Sequence, residues 1–404
     1  MPGCRVCHSA IEPFIDFGRM PLANGFLTPD QFAGEYFFNL SAAACPRCTL
    51  VQLVEQPERE RMFHDRYPFF SATSVRMQEH FASFANDVMA SLPAGNPFVV
   101  EIGSNDGTLL RHAARAGIRH LGVEPSASVA QAASADGVNT IGRFFDAPTA
   151  RQIVAEHGQA DAIIAANALS HIADLHAVAE GIAILLAPDG SCVIEDPYWG
   201  DVVARTAFDQ IYDEHASYFT LSSLSWLFAQ HGLDVVDAIP FDVHGGSMRY
   251  VLGRTGSKPP SPSVGQLRDR EHALELHGPE TLAGFCDRVM DTGAALMSLL
   301  RKCQAAGRRV AGYGATSKST TTINFFGITP DLVEFISDTT PAKHGTYSPG
   351  AHIPVRPHAE FAARYPDRAL LFLWNHAAEV RAKEQAFARG GGKWIVYVPA
   401  VEES

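Results

Sequence analysis

Residues 97–126 read PFVVEIGSNDGTLLRHAARAGIRHLGVEPS, and this stretch decides the fold. Phe98-Val99-Val100-Glu101-Ile102 is a short apolar, β-branched run that stops at Gly103, and from Thr108-Leu109-Leu110 onward the apolar spacing becomes helical. That change of period predicts a buried strand, a tight glycine turn and a helix. A second strand, His120-Leu121-Gly122-Val123, ends in Glu124. Ligands of such units sit beyond the strand ends. Gly103 and Gly107 let backbone N–H groups approach, Glu101, Asn105 and Asp106 supply polar groups, and Glu124 stands where an acid grips a ribose diol.

The turn spells E-x-G-x-N-D-G. It lacks the three glycines of the dinucleotide fingerprint and lies closer to the first motif of adenosylmethionine-dependent methyltransferases. An acid in the turn suits a cofactor with an amino-acid end and would repel a pyrophosphate. The plainer alternative is a glycine turn in an ordinary α/β domain. Further units follow: a helix over 128–135, a short strand over 139–141, and a loop at 143–146 placed to close over an adenine. A strand over 161–167 then ends in Asn167 and is followed by His171, and another strand covers 191–196. Alternating strands and helices imply a parallel sheet with helices on both faces.

The chain has 404 residues, enough for two or three domains, and its 46% hydrophobic content fills real cores. A formal charge of −12 without a concentrated Lys/Arg block argues against nucleic acid as a partner. No run is long and apolar enough for a membrane span, and the N-terminus lacks a signal pattern. The expectation is a cytoplasmic protein with no membrane partner, monomeric or a small homo-oligomer. Seven cysteines, an odd number, speak against disulfide scaffolding.

Four of them form two C-x-x-C pairs, Cys4/Cys7 and Cys45/Cys48. Each pair brings two sulfurs to one tetrahedral zinc ion, and four thiolates leave no open position, so the predicted role is structural. His8 is read as a bystander. The aromatic connector around Tyr67 either lines a cleft or packs between domains.

The densest polar stretch is Gln210-Ile211-Tyr212-Asp213-Glu214-His215. A base working near neutral pH is most naturally a histidine assisted by a carboxylate and a phenol, which makes His215 the candidate base. A solvated surface loop is the commoner origin of such a stretch. His244-Gly245-Gly246-Ser247-Met248-Arg249 follows, with two glycines allowing close approach of a ligand, and the Pro/Ser-rich stretch 256–264 reads as a linker. Beyond it, 308–318 repeats the strand-glycine-helix pattern. Asp338 copies the acid of a dinucleotide fold, and Thr316, Ser317 and Lys318 open a helix able to hold phosphates. The remaining units, over 369–376 and 394–398, complete a smaller α/β domain.

The cysteine pairs, EIGSNDG, Asn167-Ala168-Leu169-Ser170-His171, the Tyr212–His215 motif, HGGSMR and GYGATSKS together resemble the sugar C-methyltransferases of deoxysugar biosynthesis. The resemblance runs through nearly the whole chain. It implies three α/β-based parts: a small N-terminal zinc-binding domain (1–66), a central Rossmann-like adenosylmethionine domain (67–255), and a C-terminal Rossmann-like domain (256–404) that helps hold a nucleotide sugar. It further implies zinc and S-adenosylmethionine as cofactors and C-3 methylation of a nucleotide-linked, by family dTDP-linked, 4-keto-deoxysugar. His215 would be the base, with Tyr212, Glu214, His171 and Tyr67 around it. Family members commonly carry Tyr-His-Glu-His where this chain has Asp213, a departure that bears on substrate detail. Two other readings remain at this point: a nicotinamide-dependent sugar oxidoreductase using GYGATSKS, and a non-catalytic nucleotide-binding protein.

Overall fold

The computed structural model describes residues 2–62 and 75–404. Its N-terminal part is built on β1 (Pro13–Pro21), β2 (Phe37–Ala44) and β3 (Val51–Leu53), paired antiparallel in that order. The two cysteine pairs lie at turns on either side of β1 and β2. His8 (φ 58) and Thr49 (φ 61), each directly after the second cysteine of its pair, adopt left-handed backbone and reverse the chain. His8 therefore shapes its knuckle.

The central part contains β4 (Phe98–Ile102), β5 (Arg119–Val123), β6 (Thr140–Ile141), β7 (Ala160–Ala166) and β8 (Leu186–Pro197). The short β9 (Ser217–Tyr218) leaves this body, and β10 (Leu233–Phe241) and β11 (Ser247–Arg254) return to it. The sheet order is β10-β11-β8-β7-β4-β5-β6. β4 to β8 are mutually parallel, while β11 runs antiparallel to both of its neighbours. All five residues of β4 are buried, Glu101 with its four apolar neighbours, as expected of a strand covered on both faces. The departing strand β9 pairs with β3 and becomes the fourth strand of the N-terminal sheet.

In the C-terminal part a long helix, Pro279–Ala305, leads into β12 (Val310–Tyr313), β13 (Ile336–Asp338), β14 (Val355–Pro357), β15 (Arg368–Leu371), β16 (Lys393–Val396) and β17 (Glu402–Glu403). They lie in the order β14-β13-β12-β15-β16-β17, parallel except for β17. The α/β class, the cysteine-bearing N-terminal part and the central, largely parallel sheet agree with the sequence reading.

The stretch 256–264 behaves differently from a free linker. Ser261 and Ser263 hydroxyls each donate to Asp237 Oδ1 at 2.6 Å, and Lys258 Nζ donates to Ser191 at 2.8 Å. The next helix, Pro262–Leu274, places buried Glu271 against the N–H groups of Leu221 and Ser222, capping the central helix Leu221–Ala229. Proline and serine here stop one element and fasten the next. One apolar cluster runs from Cys4 through the central sheet to Val398, so the three parts share a core. Among the described residues, no helix is long and apolar enough to cross a membrane.

Candidate active site

The parallel strands β5, β4, β7 and β8 are neighbours in the sheet, so their carboxyl ends lie along one edge. The turn after β4 has three left-handed residues in five: Gly103 (φ 68), Asn105 (φ 47) and Gly107 (φ 73). A Cβ at Gly103 would lie 2.7 Å from Ala168 Cβ, so glycine alone lets this turn rest on the loop after β7. The Asn105 N–H donates to Glu124 Oε2 at 3.0 Å and the Ser126 N–H to Oε1 at 2.9 Å. Burial, reinforced by the charges of Asp106 and Glu124, raises Glu101 well above the usual carboxylate range, and burial also raises Glu124. Three carboxylates crowded in this way favour a cationic ligand. Glu101 Oε2 and Asn167 Oδ1 are buried without a hydrogen-bond partner among the described residues, two acceptors open to incoming donors. Adenosylmethionine carries both a positive charge and an ammonium donor, and the residues present fit it.

The catalytic candidates lie in a turn. The His215 N–H donates to the Tyr212 carbonyl at 3.0 Å, which folds residues 212–215 back and sets both side chains together. Tyr212 Oη lies 2.7 Å from His215 Nε2, and His215 Nδ1 lies 2.8 Å from the Gln210 carbonyl. A carbonyl only accepts, so Nδ1 carries the proton and Nε2 accepts from the phenol. Burial, with nearby His171, Lys318 and His244, holds His215 well below the ordinary histidine value. Burial and the neighbouring Glu214 raise Tyr212, which stays a donor. His171, in the short helix Leu169–His171 after β7, stands edge-on to His215 at 5.0 Å between ring centroids, and burial lowers it to about 4. Asp213 and Glu214 face the N-terminal domain: the Ala23 N–H donates to Asp213 Oδ1 at 2.9 Å, and Asn24 Nδ2 to Glu214 Oε1 at 2.6 Å.

The C-terminal domain adds Lys318, one residue into the helix Ser317–Phe326. Its Nζ lies 3.3 Å from Asn375 Oδ1 and 5.1 Å from the centre of the Trp374 ring, and burial lowers its pKa to about 8. Thr316 caps its own helix by accepting from the Ser319 N–H at 3.2 Å, and Ser317 Oγ accepts from Asn24 at 2.9 Å. Asp338 is spent on the backbone, accepting from the N–H groups of Ala315 and Thr340 at 2.7 Å each.

The HGGSMR segment divides. His244 is within electrostatic reach of Lys318, His376, His80 and His171, and burial, followed by those neighbours, lowers it to about 3. Ser247 and Arg249, two apart on β11, are both turned into the protein. Ser247 Oγ donates to the Val243 carbonyl at 3.2 Å, and Arg249 bonds Glu195 at 2.9 Å and Asp87 at 3.0 Å between the rings of Phe84 and Phe241. The glycines expected to admit a ligand admit protein instead: a side chain at Gly245 would meet Trp374, and one at Gly246 would meet Asp201. Tyr67 lies outside the described residues. Sequence reasoning gives no role to Asn24, to His80, whose Nε2 is 2.5 Å from Glu195 Oε1, or to Asp209, which accepts from Trp374 and Tyr397 at 2.7 Å each. Their partners all lie far along the chain, and no local spacing marks them.

The sulfurs of Cys4, Cys7, Cys45 and Cys48 all lie within 4.8 Å of one another, a span that four thiolates adopt around one ion at about 2.3 Å. The donor set fits a closed structural zinc site. None of the seven cysteines forms a disulfide.

Three family profiles match the chain in order: a zinc binding domain over residues 4–63, a methyltransferase domain over 76–238, and the C-methyltransferase C-terminal domain over 242–399. The last boundary falls within the β10–β11 hairpin, although both strands belong to the central sheet. C-methyltransferase NovU of Streptomyces niveus is 35% identical over 401 residues, covering 98% of this chain and 95% of the relative. Among solved structures, magnesium protoporphyrin IX methyltransferase of Synechocystis PCC 6803 with bound SAH aligns over 47% of this chain and 94% of its own at 15% identity and TM-score 0.36. The CcbJ methyltransferase of Streptomyces caelestis aligns over 44% and 89% at 15% identity and TM-score 0.34.

Proposed function

The chain belongs to the C-methyltransferase family, and on that premise we propose that this enzyme methylates C-3 of a nucleotide-linked 4-keto-deoxysugar, with thymidine diphosphate the expected nucleotide. The product would serve deoxysugar assembly for a natural product or a surface glycan. The observation that carries the reading is the Tyr212–His215 pair, a bare Nε2 and a protonated phenol 2.7 Å apart inside a buried turn.

Adenosylmethionine, when bound, supplies an electrophilic methyl group on a sulfonium. Glu101, Asn167 and the 103–107 turn would hold its amino-acid end, and Glu124 its ribose. The C-4 ketone acidifies the neighbouring C-3 proton, and His215 Nε2 takes it, leaving the electron pair as an enolate. Tyr212, released from Nε2 as the proton arrives there, donates to the former ketone oxygen, with His171 beside it. The enolate carbon at C-3 would accept the methyl group that adenosylmethionine supplies, with adenosylhomocysteine as the leaving product, and the ketone would be restored. Burial keeps His215 unprotonated before substrate arrives. Its weak basicity is offset by the acidity of a proton next to a carbonyl. Lys318, Ser317 and Thr316, with His244 nearby, form the arm for the nucleotide phosphates. Zinc on the four cysteines has no place in the chemistry and holds the N-terminal fold.

The test is mass spectrometry of nucleotide 4-ketosugars incubated with the protein and adenosylmethionine in deuterated water. The expected product is heavier by one methyl, with C-3 exchange in wild type and neither exchange nor methylation in His215→Asn, while that variant still binds adenosylmethionine. Methylation without base-dependent exchange would move the reaction to a heteroatom. Silence across a panel of nucleotides would overturn the substrate class.

A further inference from the structure

Asn24 sits where the three parts of the protein meet. Its amide nitrogen donates in two directions, to Glu214 Oε1 at 2.6 Å and to Ser317 Oγ at 2.9 Å. The NH2 of the amide faces Glu214 and Ser317, and both of its protons are used. The residue before it repeats the arrangement through the backbone: Ala23 N–H donates to Asp213 Oδ1 at 2.9 Å, and the Ala23 carbonyl accepts from Thr320 Oγ1 at 2.8 Å. Two consecutive residues of the N-terminal domain therefore make four bonds, two to the catalytic turn and two to the helix that carries Lys318. That helix also reaches the turn directly, since Thr321 Oγ1 donates to the Ile211 carbonyl at 2.9 Å.

We infer that Asn24 is a positioning residue: it fixes Glu214 beside the His215–Tyr212 pair and ties that carboxylate to Ser317, at the start of the nucleotide-binding arm. The inference rests on the methyl-transfer reading. A neutral donor is what the place requires. Asp213 and Glu214 are adjacent buried acids, and a third carboxylate would add repulsion, whereas the amide satisfies Glu214 without adding charge. Lys343, whose Nζ donates to the Ala315 carbonyl at 2.7 Å and stands 4.7 Å from the Phe26 ring centre, is within electrostatic reach of Glu214.

Asn24→Ala and Asn24→Asp, made in the full chain, test this. Both should lose at least tenfold in kcat on the ketosugar, while zinc content and the calorimetric affinity for adenosylmethionine stay within about threefold of wild type. Asn24→Asp should recover activity as pH is lowered from 8 to 6, because the introduced carboxyl group, once protonated, again donates to Glu214; Asn24→Ala should not recover. Amide exchange at residues 211–218, which needs no substrate, should be faster in Asn24→Ala. Wild-type kcat in both variants, a loss in Asn24→Asp that pH does not relieve, or unchanged exchange would overturn the inference. A loss of zinc or of cofactor affinity would overturn it too, by making Asn24 a residue of the fold alone. If wild type itself turns over no ketosugar, the substrate reading fails instead, and the exchange measurement still decides the role of Asn24.

Discussion

The backbone N–H of Leu53 donates to the carbonyl of Ala216 at 3.0 Å, one residue beyond His215. Leu53 ends β3, which begins three residues after Cys48, and β3 pairs Val51 with Tyr218 and Gln52 with Ser217. The strand that leaves the second cysteine knuckle is therefore the template on which the turn carrying the candidate base His215 is completed. A cysteine site with no open coordination position is therefore expected to influence turnover through the backbone it orders.

About one zinc per chain is expected, and its removal should act at a distance. Stripping the metal with a chelator, or replacing Cys45 with serine, should speed amide exchange at Ser217 and Tyr218 and abolish turnover. Adenosylmethionine bound at the central sheet should change affinity by no more than a few-fold. Zinc absent from carefully prepared protein, or exchange in β9 that ignores its removal, would break this link between knuckle and turn.

Strand 98–102 is legible in the sequence because four of its five positions are apolar and the run stops at a glycine, and the helix beginning at Ser317 because Thr316 and Ser319 form a capping pair. The composition of 212–215 suggests a base, but its convergence depends on a turn that neighbouring letters do not specify. Arg249 is a related case. An arginine beside two glycines looks like a ligand arm, while its partners Glu195 and Asp87 lie 54 and 162 residues away in sequence. Asn24 is invisible on the same ground, since Glu214 is 190 positions distant. Local pattern reports period and capping; it carries little information about which buried charges will meet.

Acid sensitivity should separate activity from stability. His215 is held well below the ordinary histidine value by burial, His171, Lys318 and His244, and a base fails only when protonated in the folded protein. kcat/KM should therefore stay level as pH falls through ~6.5, where an unperturbed histidine would be half lost. Stability has a different limit. His171, lowered to about 4, and His244, lowered to about 3, refuse protons that the unfolded chain accepts near ~6.5. Their contribution is intact above that pH and erodes as pH falls towards 4, by at most roughly 1.4 kcal/mol per pH unit for each histidine. Urea midpoints at pH 7 and 5.5 should drop less in His244→Gln than in wild type; an equal drop would mean that His244 is not buried neutral.

Arg249→Ala should damage the fold before it damages substrate binding. Glu195 is fully buried, and without Arg249 its remaining ion-pair partner among the described residues is His80. Leaving one member of a buried ion pair costs about 3–5 kcal/mol, visible as a lowered urea midpoint. The KM for the nucleotide sugar in the remaining folded enzyme should move by less than about threefold. A normal midpoint with a KM raised tenfold would return Arg249 to the substrate.

Lys318→Ala tests the division of labour between the two Rossmann-like domains. Lys318 Nζ rests on the Asn375 amide oxygen at 3.3 Å and over the Trp374 ring at 5.1 Å, and burial has already lowered its pKa to about 8. A phosphate oxygen would restore what burial removes, so the protonated amine and the nucleotide favour each other. A lost bond to a charged group is worth about 1.5–3 kcal/mol, and the KM for the sugar nucleotide should rise about 10- to 100-fold with adenosylmethionine affinity unchanged. A second readout comes from the histidines. Lys318 is among the charges that depress His215 and His244, so its removal should raise both and shift the acid limb of kcat/KM to higher pH. Weakened adenosylmethionine with an intact nucleotide KM would mean that the ligands of the two domains are exchanged.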